Sequence, residues 1–139
     1  MTAKKHDFVC YQGADWLKQI GFKANVSDSE YISLTGWTFE MQIRSSIGGT
    51  LLHNLTPDIS LNGTEDMVLL PISKEDTLLI NLTGLPMKTV KTGETDENGN
   101  PVSITGPSGV YDLFSIDETG DKKKRMYGVF VIHQAVTGA

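Results

Sequence analysis

Between residues 37 and 44 the chain alternates without a break, with Trp37, Phe39, Met41 and Ile43 on one side and Thr38, Glu40, Gln42 and Arg44 on the other. A period of two over this length predicts a strand with one face in a core and the other turned to water or a partner. Shorter pieces carry the same signal. Phe8-Val9-Cys10-Tyr11 predicts a first strand, which Gln12-Gly13-Ala14 breaks before a longer strand over 15–24. In that second strand Trp16, Ile20, Phe22 and Ala24 share a face and Lys18 is the exception. An edge position would let the Lys18 ammonium stay in water while its stem lies on apolar surface.

Turn signals at Ser46-Ile47-Gly48-Gly49, Thr56-Pro57-Asp58 and Asn62-Gly63 separate short strands over 50–53, 59–61 and 67–70. Pro71 ends the last of these or places it at an edge. The run Ser73-Lys74-Glu75-Asp76-Thr77-Leu78-Leu79-Ile80 predicts the one helix, with Ser73 as N-cap and Asp76 in a capping-box-like position. Leu78 and Leu79 are expected to plug one end of the fold.

From residue 82 to 108 the composition shifts. Lys88-Thr89-Val90-Lys91-Thr92 and Pro101-Val102-Ser103-Ile104-Thr105 flank Gly93-Glu94-Thr95-Asp96-Glu97-Asn98-Gly99-Asn100, a protruding β-hairpin whose Asn98-Gly99 pair suits a tight turn. Its few large apolar side chains could not fill a core, so it is expected to reach outward as an arm over 86–106. Residues 109–117 and 126–137 predict the final two strands. Glu118-Thr119-Gly120-Asp121 and the basic run Lys122-Lys123-Lys124-Arg125 join them as a solvated hairpin tip. The last strand is apolar on both faces, which implies a central or interface position.

A chain of 139 residues fits one domain, 1–139. Its 14 glycines and its many Thr, Ile, Leu and Val residues lean toward strands and turns. The fold expected is all-β, an antiparallel β-sandwich, Ig-like or related, with one short helix and the protruding hairpin. A formal charge of −5 argues against nucleic-acid binding, which needs clustered cations to release phosphate counterions. The apolar runs are too short to cross a bilayer, and the polar start shows no secretory leader. A soluble protein made in a cytoplasm is the expectation. The sequons at Asn25, Asn54, Asn62 and Asn81 then read as accidents of a Thr-rich sequence.

Catalytic chemistry is not legible. Cys10 is alone in an apolar run and reads as a buried, inert thiol. His6, His53 and His133 are scattered singly, and no nucleophile elbow, P-loop, dinucleotide fingerprint or zinc-protease motif occurs. Asp96-Glu97-Asn98-Gly99-Asn100 has a faint calcium-loop look, but Pro101 stands where such a loop needs glycine. A non-enzymatic protein without a cofactor or metal is expected.

The stretch "LTGWTFEMQIR" resembles the "DLTGYT…MQIR" signature of small β-sandwich proteins of tailed bacteriophages, which include N-terminal domains of baseplate upper proteins and other tail, neck or baseplate components. Further pieces of that pattern follow in order: Gln12-Gly13-Ala14-Asp15-Trp16 for a "QGD"-like turn and aromatic, Thr77-Leu78 for a "T…L" helix, Gly109-Val110-Tyr111-Asp112-Leu113 for "G-x-YDL", and Gly128 to Val136-Thr137 at the end. Ser33 replaces the usual acidic residue, and the arm is an insertion where the family has a short link. The resemblance implies a virion structural protein made in the bacterial host cytoplasm, an adaptor or attachment subunit at the tail, baseplate or neck. Its partners would be other virion proteins, in a symmetric ring or as copies around the tail or neck, with no nucleic acid and no membrane. Lys88, Val90, Lys91, Glu94, Asn98, Val102 and Ile104 on the arm, with Lys122, Lys123 and Lys124, are the candidate partner contacts. A carbohydrate-binding host-recognition module, with Trp16 and Trp37 as stacking platforms, is the alternative, as is capsid decoration.

Overall fold

The computed structural model describes residues 3–23, 31–61 and 65–134. The alternating stretch forms β4 (Thr38–Arg44), with Phe39, Met41 and Ile43 buried. It lies between β5 (Leu51–Leu55) and β9 (Pro101–Ile116) in a seven-stranded sheet that also holds β10 (Lys122–His133), β8 (Met87–Thr95) and two short N-terminal strands, β1 (Lys4–Lys5) and β2 (Phe8–Tyr11). A second sheet has the order β3 (Trp16–Ile20), β7 (Met67–Ile72), β6 (Asp58–Ser60). Apolar faces of both sheets meet in one core, so the fold is a β-sandwich. β10 is central, as its two apolar faces require, and β3 is an edge strand that leaves Lys18 exposed.

The pairing is not wholly antiparallel. β1 and β2 run parallel to β10, with Lys4 opposite Met126 and Phe8 opposite Phe130. Polar links beyond the ladders also hold this N-terminal segment: the His6 amide donates to the Tyr127 carbonyl at 2.9 Å, and the Val129 amide donates to Asp7 Oδ1 at 2.9 Å. The Tyr111 hydroxyl donates to the His6 carbonyl.

Several expected boundaries move. β3 stops at Ile20 rather than running to 24: its pairing with β7 ends with Ile20 opposite Val68, and the Phe22 carbonyl accepts from the Ile32 amide instead, although Phe22 is still buried. Ala24, the Asn62-Gly63 turn, the sequons at Asn25 and Asn62, and the end of the last strand beyond 134 lie outside the described residues. Pro71 sits inside β7, but β6 begins only opposite Leu69, so one flank of β7 is open at the proline. The basic run is not a hairpin tip. The tip is 117–121, where Asp117 Oδ1 accepts from the Thr119 and Asp121 amides, and Lys122 already starts β10.

The helix α1 (Lys74–Leu79) is capped as expected, with the Asp76 amide donating to Ser73 Oγ at 3.2 Å. Its buried side is not the expected one. Leu78 and Leu79 are exposed, while Thr77 and Ile80 are buried. Thr77 faces inward because its hydroxyl accepts from the Gly13 amide at 2.9 Å and donates to the Lys74 carbonyl at 2.7 Å.

Burial in the β2 core row pushes the Cys10 thiol from its ordinary value near 9 up to about 12. Burial and the Asp7 and Asp112 carboxylates push the Tyr111 phenol up as well. Both groups must stay protonated in the folded state, so their contribution is intact below the unfolded-state value and is lost as pH rises toward the folded one. Thermal unfolding is expected to be flat from neutral pH to about pH 9 and then to lose on the order of 1.4 kcal/mol per pH unit from Cys10 alone. A Cys10→Ala chain should show a shallower alkaline decline, measured by calorimetry across pH 7 to 11.

Candidate interaction surfaces

Alternation along three paired strands sets the outer face of the large sheet. The register puts Arg44, Val110 and Val129 in one row, Gln42, Asp112 and Tyr127 in the next, and Glu40, Phe114 and Lys124 in a third. A bulge at Arg125 keeps this order: it restores Met126 to the core after Lys122 and Lys124 have pointed outward. The Ser46-Ile47-Gly48 turn and Thr56-Pro57 wall these rows, and the result is an open hollow of about 730 Å³.

The hollow is polar and charged around an aromatic floor. Lys122 Nζ lies 2.7 Å from Glu40 Oε2 and Lys124 Nζ lies 3.4 Å from Asp112 Oδ1. The same two ammonium groups sit 5.0 and 5.8 Å from the centre of the Phe114 ring. Arg44 is fixed by donating to the Gly49 carbonyl at 2.9 Å and to Gln42 Oε1 at 2.8 Å. Lys5 adds a further cation to the lining. Four cations thus face two carboxylates in a chain whose net charge is −5.

The second surface is the arm. β8 and the first residues of β9 pair as an antiparallel ladder from Met87 opposite Pro107 to Lys91 opposite Ser103, and after a register shift Thr95 lies opposite Pro101. Asp96 Oδ1 accepts from the Asn98 and Asn100 amides, each at 2.9 Å, and Gly99 takes the positive φ of 81° that the turn needs. The aspartate therefore holds the turn's own backbone, and among the described residues no group of three His, Cys, Asp or Glu is arranged to hold a metal ion. Glu94, Asp96 and Glu97 are exposed at the tip.

Of the candidate contacts, Lys88, Lys91, Glu94 and Asn98 are exposed and Val102 and Ile104 are half-buried on the arm. Val90 is buried, so its side chain is withdrawn from any partner. Lys122 and Lys124 join the hollow; Lys123 pairs instead with Asp121 at 3.4 Å. The arm is continuous with the sandwich on one side, because β9 runs unbroken from Pro101 to Ile116. His6, His53 and His133 lie apart, on the β1–β2 link, β5 and the end of β10. Burial and Lys4 lower the His6 pKa, as befits an imidazole packed edge-on to Phe8. Trp16 is buried, and Trp37 is half-buried with the Arg125 guanidinium 5.4 Å over its ring, so neither indole stands free as a sugar platform. The hollow has no local signature in the sequence. The outward half of each alternation is visible there, but only register brings those halves together.

No family model matches the chain, and no curated protein matches it. Among solved structures it is similar to a voltage-gated sodium channel β subunit studied for multimeric cell-adhesive interactions, at 14% identity, covering 97% of this chain and 95% of that one with a TM-score of 0.34. The extracellular domain of the sodium channel β4 subunit, described as a parallel homodimer with a role in cell–cell adhesion, is similar at 11% identity, with coverage of 97% and 88% and a TM-score of 0.31. Likenesses this distant assign no function.

Proposed function

We propose that this chain is a non-enzymatic structural subunit of a tailed-phage particle, placed at the tail, baseplate or neck and acting through contacts with neighbouring proteins. The observation that supports the reading is that pieces of the phage-like pattern, distant in sequence, touch in the fold. Gln12 Nε2 donates to the Thr77 carbonyl at 3.4 Å, the Gly13 amide donates to the Thr77 hydroxyl, and the Lys74 amide donates to Asp15 Oδ1 at 2.8 Å. The "QGD"-like turn thus seats the start of the "T…L" helix. In the third piece, Leu34 is buried with its amide held by Asp66 Oδ2 at 2.9 Å, and Gly36 takes a φ of 81°. The Ser33 departure lies in this exposed turn, where its hydroxyl reaches Thr35. These motif residues do structural work, which leaves the exposed arm and the outer sheet face to carry contacts.

Quantitative mass spectrometry of purified virions from the encoding phage tests this. A fixed, low copy ratio to the major capsid protein is the expected result, and a ratio near one would move the chain to capsid decoration. Absence from mature particles would overturn the structural assignment.

A further inference from the structure

We infer that the acidic tip of the arm docks into the cationic hollow of a second copy of this chain, joining subunits head to tail. The tip offers Glu94, Asp96 and Glu97 with no cation from residue 92 to 100, and the hollow offers Lys5, Arg44, Lys122 and Lys124 against Glu40 and Asp112. The ion pairs that now occupy Lys122 and Lys124 are about half exposed, so they are weak and exchange readily for an incoming carboxylate. A volume of about 730 Å³ lies within the usual range of ligand sites and admits a turn rather than a whole hairpin.

Topology makes the contact intermolecular. One strand, β9, carries the arm at its start and the Phe114 row of the hollow near its end. From Pro101 to Phe114 a strand runs roughly 40 Å, and the turn lies beyond Pro101 on the far side. A tip cannot reach the hollow of its own chain. Each copy therefore presents one tip and one hollow, and the resulting heterologous contact closes into a ring or extends as a filament. The inference names the partner within the reading proposed above and rests on it for its setting. Its test uses the purified chain alone, so its failure is separable from absence of the chain in particles.

Sedimentation velocity of the full chain, up to about 1 mM protein and at low ionic strength where charges are least screened, is the experiment. Glu94→Lys with Glu97→Lys reverses the tip while sparing Asp96, which the turn needs; Lys122→Glu with Lys124→Glu reverses the hollow. Association of the parent chain is expected, weakened at least about tenfold by either pair of changes. It should return when the two variants are mixed in equal amounts and in the chain carrying all four changes. A parent chain that stays monomeric throughout, association that survives both reversals, or variants that keep their circular dichroism and melting temperature yet fail to recover on mixing would overturn the inference.

Discussion

Replacing Phe130 with alanine is expected to cost about 3–5 kcal/mol, a large part of the stability of a domain of this size. Phe130 is fully buried on β10, and its ring lies 5.1 Å from Trp16, 6.2 Å from Phe8 and 6.4 Å from Tyr111 between ring centres. Trp16 belongs to the smaller sheet and the other three rings to the larger one, so the truncation opens a cavity where the sheets are joined. The edge-on geometry with Trp16 and Phe8 adds ring–ring attraction that no neighbour could replace by shifting. Urea unfolding should show a lower midpoint at an unchanged slope. Leu79→Ala, at a side chain 78% exposed, should move it by no more than about 0.5 kcal/mol. Equal effects at the two positions would contradict the assignment of the core.

The second large effect is expected at Gly128. A Cβ there would overlap the His6 carbonyl oxygen and come within 2.9 Å of Asp7 Oδ1. The obstacle is backbone, which cannot turn away as a side chain can, so Gly128→Ala should cost about 3 kcal/mol or more. The loss should be local as well as global. β1 and β2 are held to β10 beside this glycine by the His6 amide and the Asp7 carboxylate, and both links must part to admit a methyl group. Hydrogen exchange should then quicken at Val129, whose amide Asp7 accepts, before it quickens at Leu113 on the β4–β9 pairing. Unchanged exchange at Val129 with normal stability would show that the N-terminal strands do not need this close approach.

Features set by neighbours along the chain are legible in the sequence: the alternation of β4, the edge position of Lys18, the Ser73 cap and the turn at Asn98-Gly99. Failures cluster where a distant partner decides. Nothing near Lys4 announces a parallel pairing with Met126, and the inward turn of Thr77 depends on the amide of Gly13 across the fold. Gly106-Pro107-Ser108-Gly109 has the composition of a break, yet β9 passes straight through it. Small residues are needed there because Gly106 meets the Ile132 carbonyl oxygen at 2.9 Å and Gly109 meets the Arg44 carbonyl oxygen at 2.5 Å from where a Cβ would lie. The basic run followed the turn residues so closely that it passed for part of the tip. Placed in β10, its first and third lysines become neighbours of Glu40 and Asp112. The hollow is a product of register among three strands, which composition and periodicity do not encode.

The central claim is that this sandwich works through the arm and the outer sheet face inside an assembled particle. Lysine footprinting by mass spectrometry, comparing the purified chain with intact virions, tests it most directly. Lys88 and Lys91 on the arm and Lys122 and Lys124 in the hollow should be modified readily in the free chain and protected in the particle, while Lys18 on the edge strand β3 serves as the internal comparison. Arm and hollow lysines that react in the particle as fast as in the free chain would contradict the account.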